Sequence, residues 1–281
     1  MFQVVEDKYE LLLNRNGIKT KFNYDPVHGM MYRRQLPEYM QYLAPKGKKI
    51  WRKKDNKILL IGGGQSNIRQ WFKKIGVKIE ISNVDFYTNY KSTVSHLHYK
   101  EDFYDWHIEP NHYDQEWALW SLPSYALSRK ELEIFYIKSA IGLSAGGVLR
   151  VFPINRSPGL GGQAADDYSK EQRKSDTIEL LKQFEKIGFT IEYYYPQDME
   201  DIVDKMKRSR MSENKTILEL FIKQVSQRRR RYIKRELADY QKKELHKAPI
   251  AVNVIAPSKA SVKYAANQKL NALLEQKGSQ V

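Results

Sequence analysis

The sequence predicts an α/β protein built on a doubly wound, seven-stranded sheet, with a β-hairpin before it and a basic helical tail behind it. Three observations predict this. Residues 58–61 are consecutive aliphatics followed at once by Gly62-Gly63-Gly64, which reads as a strand buried on both faces running into a turn without side chains. Apolar runs then recur with helical stretches between them, the alternation that makes a mainly parallel sheet. Near the amino end, Asn16-Gly17 separates two strand-like runs; this is the strongest short hairpin signal, because both turn positions need positive φ.

Taken in order, residues 9–15 and 18–24 form the hairpin, with Ile18, Thr20, Phe22 and Tyr24 alternating with polar residues as a half-buried strand should. Residues 30–43 place Tyr32, Leu36, Met40 and Leu43 at helical spacing, and Pro45-Lys46-Gly47-Lys48-Lys49 reads as a basic linker. After the strand at 58–61, the glycine turn lets a ligand approach the backbone. Ser66 or Asn67 can cap a helix over about residues 68–75, whose free N–H groups face whatever sits above the glycines. The next strand, 77–84, ends in Asn83-Val84-Asp85. An acid about 20 positions beyond the glycines suits ribose hydroxyls. The G-x-G-x-x-G fingerprint is incomplete, with Asn67 at the third glycine, and no Gly-Lys-Ser/Thr of a P-loop follows. A nucleoside without a pyrophosphate fits this turn better than a dinucleotide.

His96, His98, His107 and His112 then lie among Glu101, Asp102, Asp105, Glu109 and Asp114. His96 and His98 would share one strand face, as metal ligands can, but residues this polar also make ordinary rims, and no metal is assigned. Residues 113–124, followed by Tyr125, form the fourth strand and the loop at its carboxyl end, where such folds place their chemistry. Ser128 with Glu131 makes a capping box for a helix over 128–143, which Gly146-Gly147 ends. Residues 148–154 are the fifth strand, 156–163 a glycine-rich stretch suited to a lid, 170–187 a helix, 188–195 the sixth strand and 216–222 a seventh.

The run Ile58 to Gly64, with Asn83-Val84-Asp85 behind it, resembles the class I S-adenosylmethionine-dependent methyltransferases, a Rossmann-like fold, and within them the branch containing spermidine synthases. The resemblance implies bound S-adenosylmethionine or its decarboxylated form over Gly62, Gly63, Gly64 and Gln65, with Asp85 on the ribose, Asp102 on the adenine amino group and Phe103 packed on the ring. It also implies a small β-rich segment before the glycine turn. A last, antiparallel strand, expected at 216–222, distinguishes these enzymes from dehydrogenases. Spermidine synthases carry aspartates in the fourth loop; Ser121 and Ser124 stand there in this chain, and neither can act as a carboxylate base. Ser-Leu-Pro-Ser-Tyr is similar instead to the Asp/Asn/Ser-Pro-Pro-Tyr loop of amino-methylating enzymes, with Leu122 replacing the first proline. That likeness puts the acceptor near Ser121, Pro123 and Tyr125. Three functions follow from these residues: a methyltransferase, an aminopropyltransferase-like enzyme, or a catalytically inert binding protein.

The 281 residues are 41% hydrophobic, enough for a proper core. No apolar run is long enough for a membrane span, the first ten residues lack a signal-peptide core, and there is no cysteine; a cytoplasmic protein is expected. The net charge of +15 is uneven: residues 1–56 hold 12 Lys/Arg and 6 Asp/Glu, residues 225–281 hold 13 and 4, and residues 57–224 hold 23 of each. The division expected is therefore a hairpin and helix extension at 1–56, a catalytic domain at 57–224, and a basic helical tail at 225–281. Arg228, Arg229, Arg230 and Arg231 wrap around a helix and suit phosphate contacts, so nucleic acid is the expected partner of the flanks.

Overall fold

A computed structural model describes residues 3–4, 10–15, 18–23, 36–45, 50–63, 66, 68–85, 96–99, 101–119, 121–124, 126, 128–154, 168–199 and 249–276. Gly64, Gln65, Tyr125, the stretches 156–163 and 216–222, and Arg228 to Arg231 lie outside the described residues.

Three short strands, β1 (Gln3–Val4), β2 (Glu10–Arg15) and β3 (Ile18–Asn23), make a small antiparallel sheet in which Arg15 pairs with Ile18. Helix α1 (Leu36–Leu43) follows. The main sheet is built from β4 (Lys57–Ile61), β5 (Glu80–Val84), β6 (Leu97–Tyr99), β7 (Tyr113–Leu119), β8 (Leu143–Phe152), β9 (Thr190–Tyr194) and β10 (Ala251–Ile255). Its spatial order is β6-β5-β4-β7-β8-β10-β9. Strands β6, β5, β4, β7 and β8 run parallel, and β10 runs antiparallel to both its neighbours.

The two faces carry two cores. On β4, Ile58 and Leu60 face one and Leu59 and Ile61 the other, all four at 1% exposure or less. Each such aliphatic contributes about 1.5–3 kcal/mol by leaving water. The first face is covered by α1 and by α2 (Ile68–Lys74), whose Trp71 is buried in this core and whose Phe72 packs against Trp117 of β7. The second is covered by α3 (Arg129–Gly142), α4 (Lys170–Lys186) and α5 (Ala260–Gln276). Local chemistry starts these helices: Ser66 Oγ accepts from Ile68 N at 3.3 Å, Ser128 Oγ from Glu131 N at 3.3 Å, and Ser169 Oγ from Gln172 N at 3.0 Å.

Three expectations change. The antiparallel strand between β8 and β9 is Ala251–Ile255 and comes from the segment read as a tail. Asn253 fixes its register by donating to Glu192 Oε2 and to the Tyr194 hydroxyl, both at 3.0 Å. Strand β8 begins at Leu143, directly after α3, so Gly146 and Gly147 lie inside the strand rather than ending the helix. There Gly147 belongs to an irregular pairing with β7, where a Cβ would meet the Tyr113 carbonyl at 3.0 Å. The division at 56/57 is crossed by a buried polar network. Asp55 accepts from Arg52 Nε at 2.8 Å and Gln115 Nε2 at 2.9 Å, and Arg150 donates to Gln115 Oε1 and the Leu43 carbonyl, each at 3.0 Å. Burial brings the Arg150 guanidinium down to about 10, with Tyr194, Glu192 and Asp55 opposing.

Glu116, mid-strand in β7, is fully buried beside Gly142 of α3. Burial pushes its carboxyl well above the usual carboxylate range, with the Ser139 hydroxyl and the Lys263 ammonium opposing. A carboxyl raised on folding contributes stability that is complete below its unfolded value and is lost as pH rises through its folded value. Glu116→Gln removes that loss. The variant is expected to melt above the parent at pH 7. Its advantage should shrink toward pH 4. Melting curves that stay parallel from pH 4 to 8 would contradict this.

Candidate functional site

The sheet reverses its winding between β4 and β7: β5 and β6 lie on one side of β4, and β7 and β8 on the other. The carboxyl ends of strands at such a reversal form the crevice where doubly wound sheets bind ligands. Gly62, Gly63, Asp85, Ser121 and Pro123 all fall there.

Hydrogen bonds hold the turn to its neighbours. Gly62 N donates to the Val84 carbonyl at 2.8 Å, and Gly63 N to Asn83 Oδ1 at 3.0 Å, so both glycines are tied to β5. Ser121 Oγ donates to the Ile61 carbonyl at 2.6 Å, tying the fourth loop to the end of β4. Gly62 has φ +60°, and a Cβ there would meet Ser121 Cβ at 2.7 Å. At Gly63 it would meet Asn83 Oδ1 at 2.6 Å and Leu60 Cβ at 2.9 Å. Glycine is therefore demanded here by packing of the turn onto β5 and the fourth loop, rather than only by the approach of a ligand from above. Asp85 follows β5, largely buried, with its N–H on the Tyr99 carbonyl at 3.0 Å.

Asp102 heads a tight turn after β6. Its Oδ1 accepts from Tyr104 N at 3.2 Å, and its carbonyl accepts from Asp105 N at 3.0 Å and Trp106 N at 2.8 Å. Phe103 is 4% exposed and its ring packs against Phe135 at 5.6 Å and Trp106 at 6.1 Å. The sequence reading laid this ring on a ligand; the structure lays it in the core. In the fourth loop Ser124 Oγ donates to the Pro153 carbonyl at 2.9 Å, and the Pro123 carbonyl accepts from Ala126 N at 2.9 Å. Both serines that replace the expected carboxylates thus bond to main chain and fix the loop.

His96 and His112 have separate partners. His96 Nδ1 accepts from Ile81 N at 3.0 Å, and burial lowers its pKa from the ordinary value, with Arg69 adding to that. His112 meets Glu109 Oε2 at 2.8 Å and Lys57 Nζ at 3.0 Å. Among the described residues no three His, Cys, Asp or Glu side chains are grouped to hold a metal.

Two residues near the site have roles that the sequence alone did not assign. Asn83 anchors Gly63, and its signal was a polar side chain next to the last residue of a strand that enters the core. Lys138 lies mid-helix in α3 at 0% exposure and donates to the carbonyls of Tyr104 (3.1 Å) and Trp106. Its signal was a lone lysine within the apolar run 134–141.

No family profile and no curated protein matches this chain. Solved structures do resemble it. Phosphoethanolamine N-methyltransferase 2 of Haemonchus contortus, in complex with S-adenosyl-L-methionine, has a TM-score of 0.40 and 16% identity over 78% of this chain and 51% of its own. The chain therefore spans about half the length of that enzyme. The plantazolicin methyltransferase BpumL, in complex with SAH, has a TM-score of 0.44 and 13% identity, covering 79% of this chain and 81% of its own. The cyclase SpnF has a TM-score of 0.38 and 16% identity, covering 78% and 88%. All three likenesses are distant. Among the described residues no helix is long and apolar enough to cross a membrane.

Proposed function

We propose that this chain is an S-adenosylmethionine-dependent methyltransferase. The observation that carries the reading is the strand order, with antiparallel β10 inserted between β8 and β9. A dehydrogenase-like sheet has no such strand. Gly62, Asp85 and Ser121 converge at the winding reversal of the same sheet, in support. The turn Gly62-Gly63, continued by Gly64 and Gln65, would lie under the cofactor; Asp85 would accept from its ribose and Asp102 from its adenine amino group. The cofactor supplies a methyl group already activated on a sulfonium sulfur. The protein's part is then mainly positioning, which can supply several kcal/mol of the barrier. Ser121, Pro123 and Tyr125 are the proposed acceptor side. Ser121 acts there as a fixed wall, because its hydroxyl is committed to Ile61.

The engagement of Ser121 and Ser124 with main-chain carbonyls weighs against aminopropyl transfer, which needs a carboxylate in that loop to take a proton from the amine. It leaves open an inert cofactor-binding protein, in which binding persists without turnover. Calorimetry is expected to register binding of S-adenosylmethionine and S-adenosylhomocysteine, and none of NAD. Binding of NAD, or of none of the three, would overturn the reading.

The acceptor or partner we propose is nucleic acid, on the strength of the basic flanks. Neutralising several phosphates should make affinity fall roughly a thousandfold or more between about 50 and 200 mM salt. Replacing Arg228 to Arg231 by alanine should weaken binding to all sequences alike, since phosphate contacts carry no base information. A filter-binding assay with mixed RNA and DNA decides it. No retention at about 50 mM salt would remove nucleic acid from the account.

A further inference from the structure

Lys138 is a buried cation that the reading above leaves without a task. It is enclosed by the turn that carries Asp102, with its Nζ on the carbonyls of Tyr104 and Trp106 and 5.8 Å from the centre of the Phe103 ring. Asp102 starts this turn: its carbonyl takes the N–H groups of Asp105 and Trp106, and its own Oδ1 takes that of Tyr104. One end of the turn is therefore closed by Asp102 itself and the other by an ammonium from α3. A mid-helix lysine at 0% exposure gives up the hydration of its charge. Carbonyl acceptors and the nearby carboxylates of Asp102, Asp105 and Glu101 compensate part of that, yet burial still brings the ammonium down to about 8. It is charged at neutral pH and makes the strong class of hydrogen bond. Helix α3 is a firm support: its N-terminus is capped by Ser128, and Lys263 of α5 donates to its last carbonyls at Ala140 (2.8 Å) and Ile141 (3.5 Å).

We propose that Lys138 is a positioning residue that sets the protein's preference for adenine, by clamping the turn that presents Asp102. This rests on the reading of Asp102 as the acceptor for the adenine amino group. Lys138 touches no ligand in this scheme and acts only through the turn. The preference is separable from overall affinity, because the glycine turn and Asp85 meet other parts of the cofactor.

The test compares S-adenosylhomocysteine with S-inosylhomocysteine, in which a 6-oxo group replaces the amino group, by calorimetry on the full chain. One charged hydrogen bond gives the wild type roughly a 10- to 100-fold preference for the adenine compound. In Lys138→Met, close in length but without donors, the preference is expected to fall to within about threefold, while affinity for the inosine compound stays nearly constant. Asp102→Asn should lose the same preference, and the double variant should lose no more than either single one. Lys138→Arg, which keeps donors at that place, should recover part of it; this variant also guards against a Lys138→Met chain that does not fold, which circular dichroism would reveal. A wild-type preference that survives in Lys138→Met, or a uniform loss for both compounds there, overturns the clamp alone. A wild type that binds neither compound overturns the cofactor reading and the clamp with it.

Discussion

A chain ending at residue 248 is expected not to fold. The truncation leaves every arginine of 228–231 in place and removes β10 and α5. Val252 and Val254 of β10, and Leu270 and Leu274 of α5, are each at 0% exposure in one core. At about 1.5–3 kcal/mol each, these four alone match the 5–15 kcal/mol by which a whole domain is stable. Loss of β10 also strips β8 and β9 of their common neighbour. It removes Lys263 from the C-terminus of α3 as well. Circular dichroism should show no cooperative melting, and the product should be insoluble or readily proteolysed. A truncated chain that melts near the parent temperature would mean that residues 249–281 are the dispensable tail their charge suggests.

Gly63→Val is expected to abolish cofactor binding, and for a reason that differs from the one its place in a glycine turn suggests. The new side chain points inward. Its Cβ would stand 2.6 Å from Asn83 Oδ1 and 2.9 Å from Leu60 Cβ, distances that force the turn or β5 to move. Overpacking of this kind costs about 1–3 kcal/mol, so melting temperature should fall along with ligand affinity. Because Asn83 supplies the nearer obstacle, Gly63→Ala should be less damaging in an Asn83→Ala background than the two single effects together predict. Calorimetry with S-adenosylhomocysteine and a thermal melt on the same four proteins check both statements. Gly63→Val with undiminished affinity would sink the placement of the cofactor at this turn.

The fold was legible wherever a local signal was strong. The four aliphatics of β4, the Ser128 cap and the helix expected over 170–187 each depend on a few adjacent residues, and each appears close to its expected place. The antiparallel strand was misplaced because its evidence is not local. Ala251-Val252-Asn253-Val254-Ile255 is interrupted by a polar residue, flanked by Pro249 and Pro257, and embedded in a basic segment. Its identity comes from pairing with Arg150 and Glu192, both far away in sequence. The β-branched Val252, Val254 and Ile255 were the one available clue. At the winding reversal, the places of Gly62, Gly63, Asp85 and Ser121 just after their strands could be read from the sequence alone. The burial of Phe103 could not, because an aromatic beside an acid has the same pattern whether it faces a ligand or a helix. Lys138 stood out as a lysine in an apolar run, but nothing in its neighbours says that two carbonyls from a distant turn meet it.

The insertion of β10 between β8 and β9 also governs the order in which the protein can be completed as it is made. Strand β9 leaves the ribosome with residue 194, and its only partner strand among the described residues is finished at residue 255. At about 5–20 residues per second, that gap lasts roughly 3 to 12 s. Throughout it, the side of β8 that later pairs with β10 lacks that partner, and β9 has no partner strand among the described residues. A strand edge in that condition is open to other chains. The nascent protein therefore passes through an interval in which its helices α3 and α4 can already cover one face of the sheet while the sheet itself is split, and its yield depends on what shields that gap until the last strand arrives.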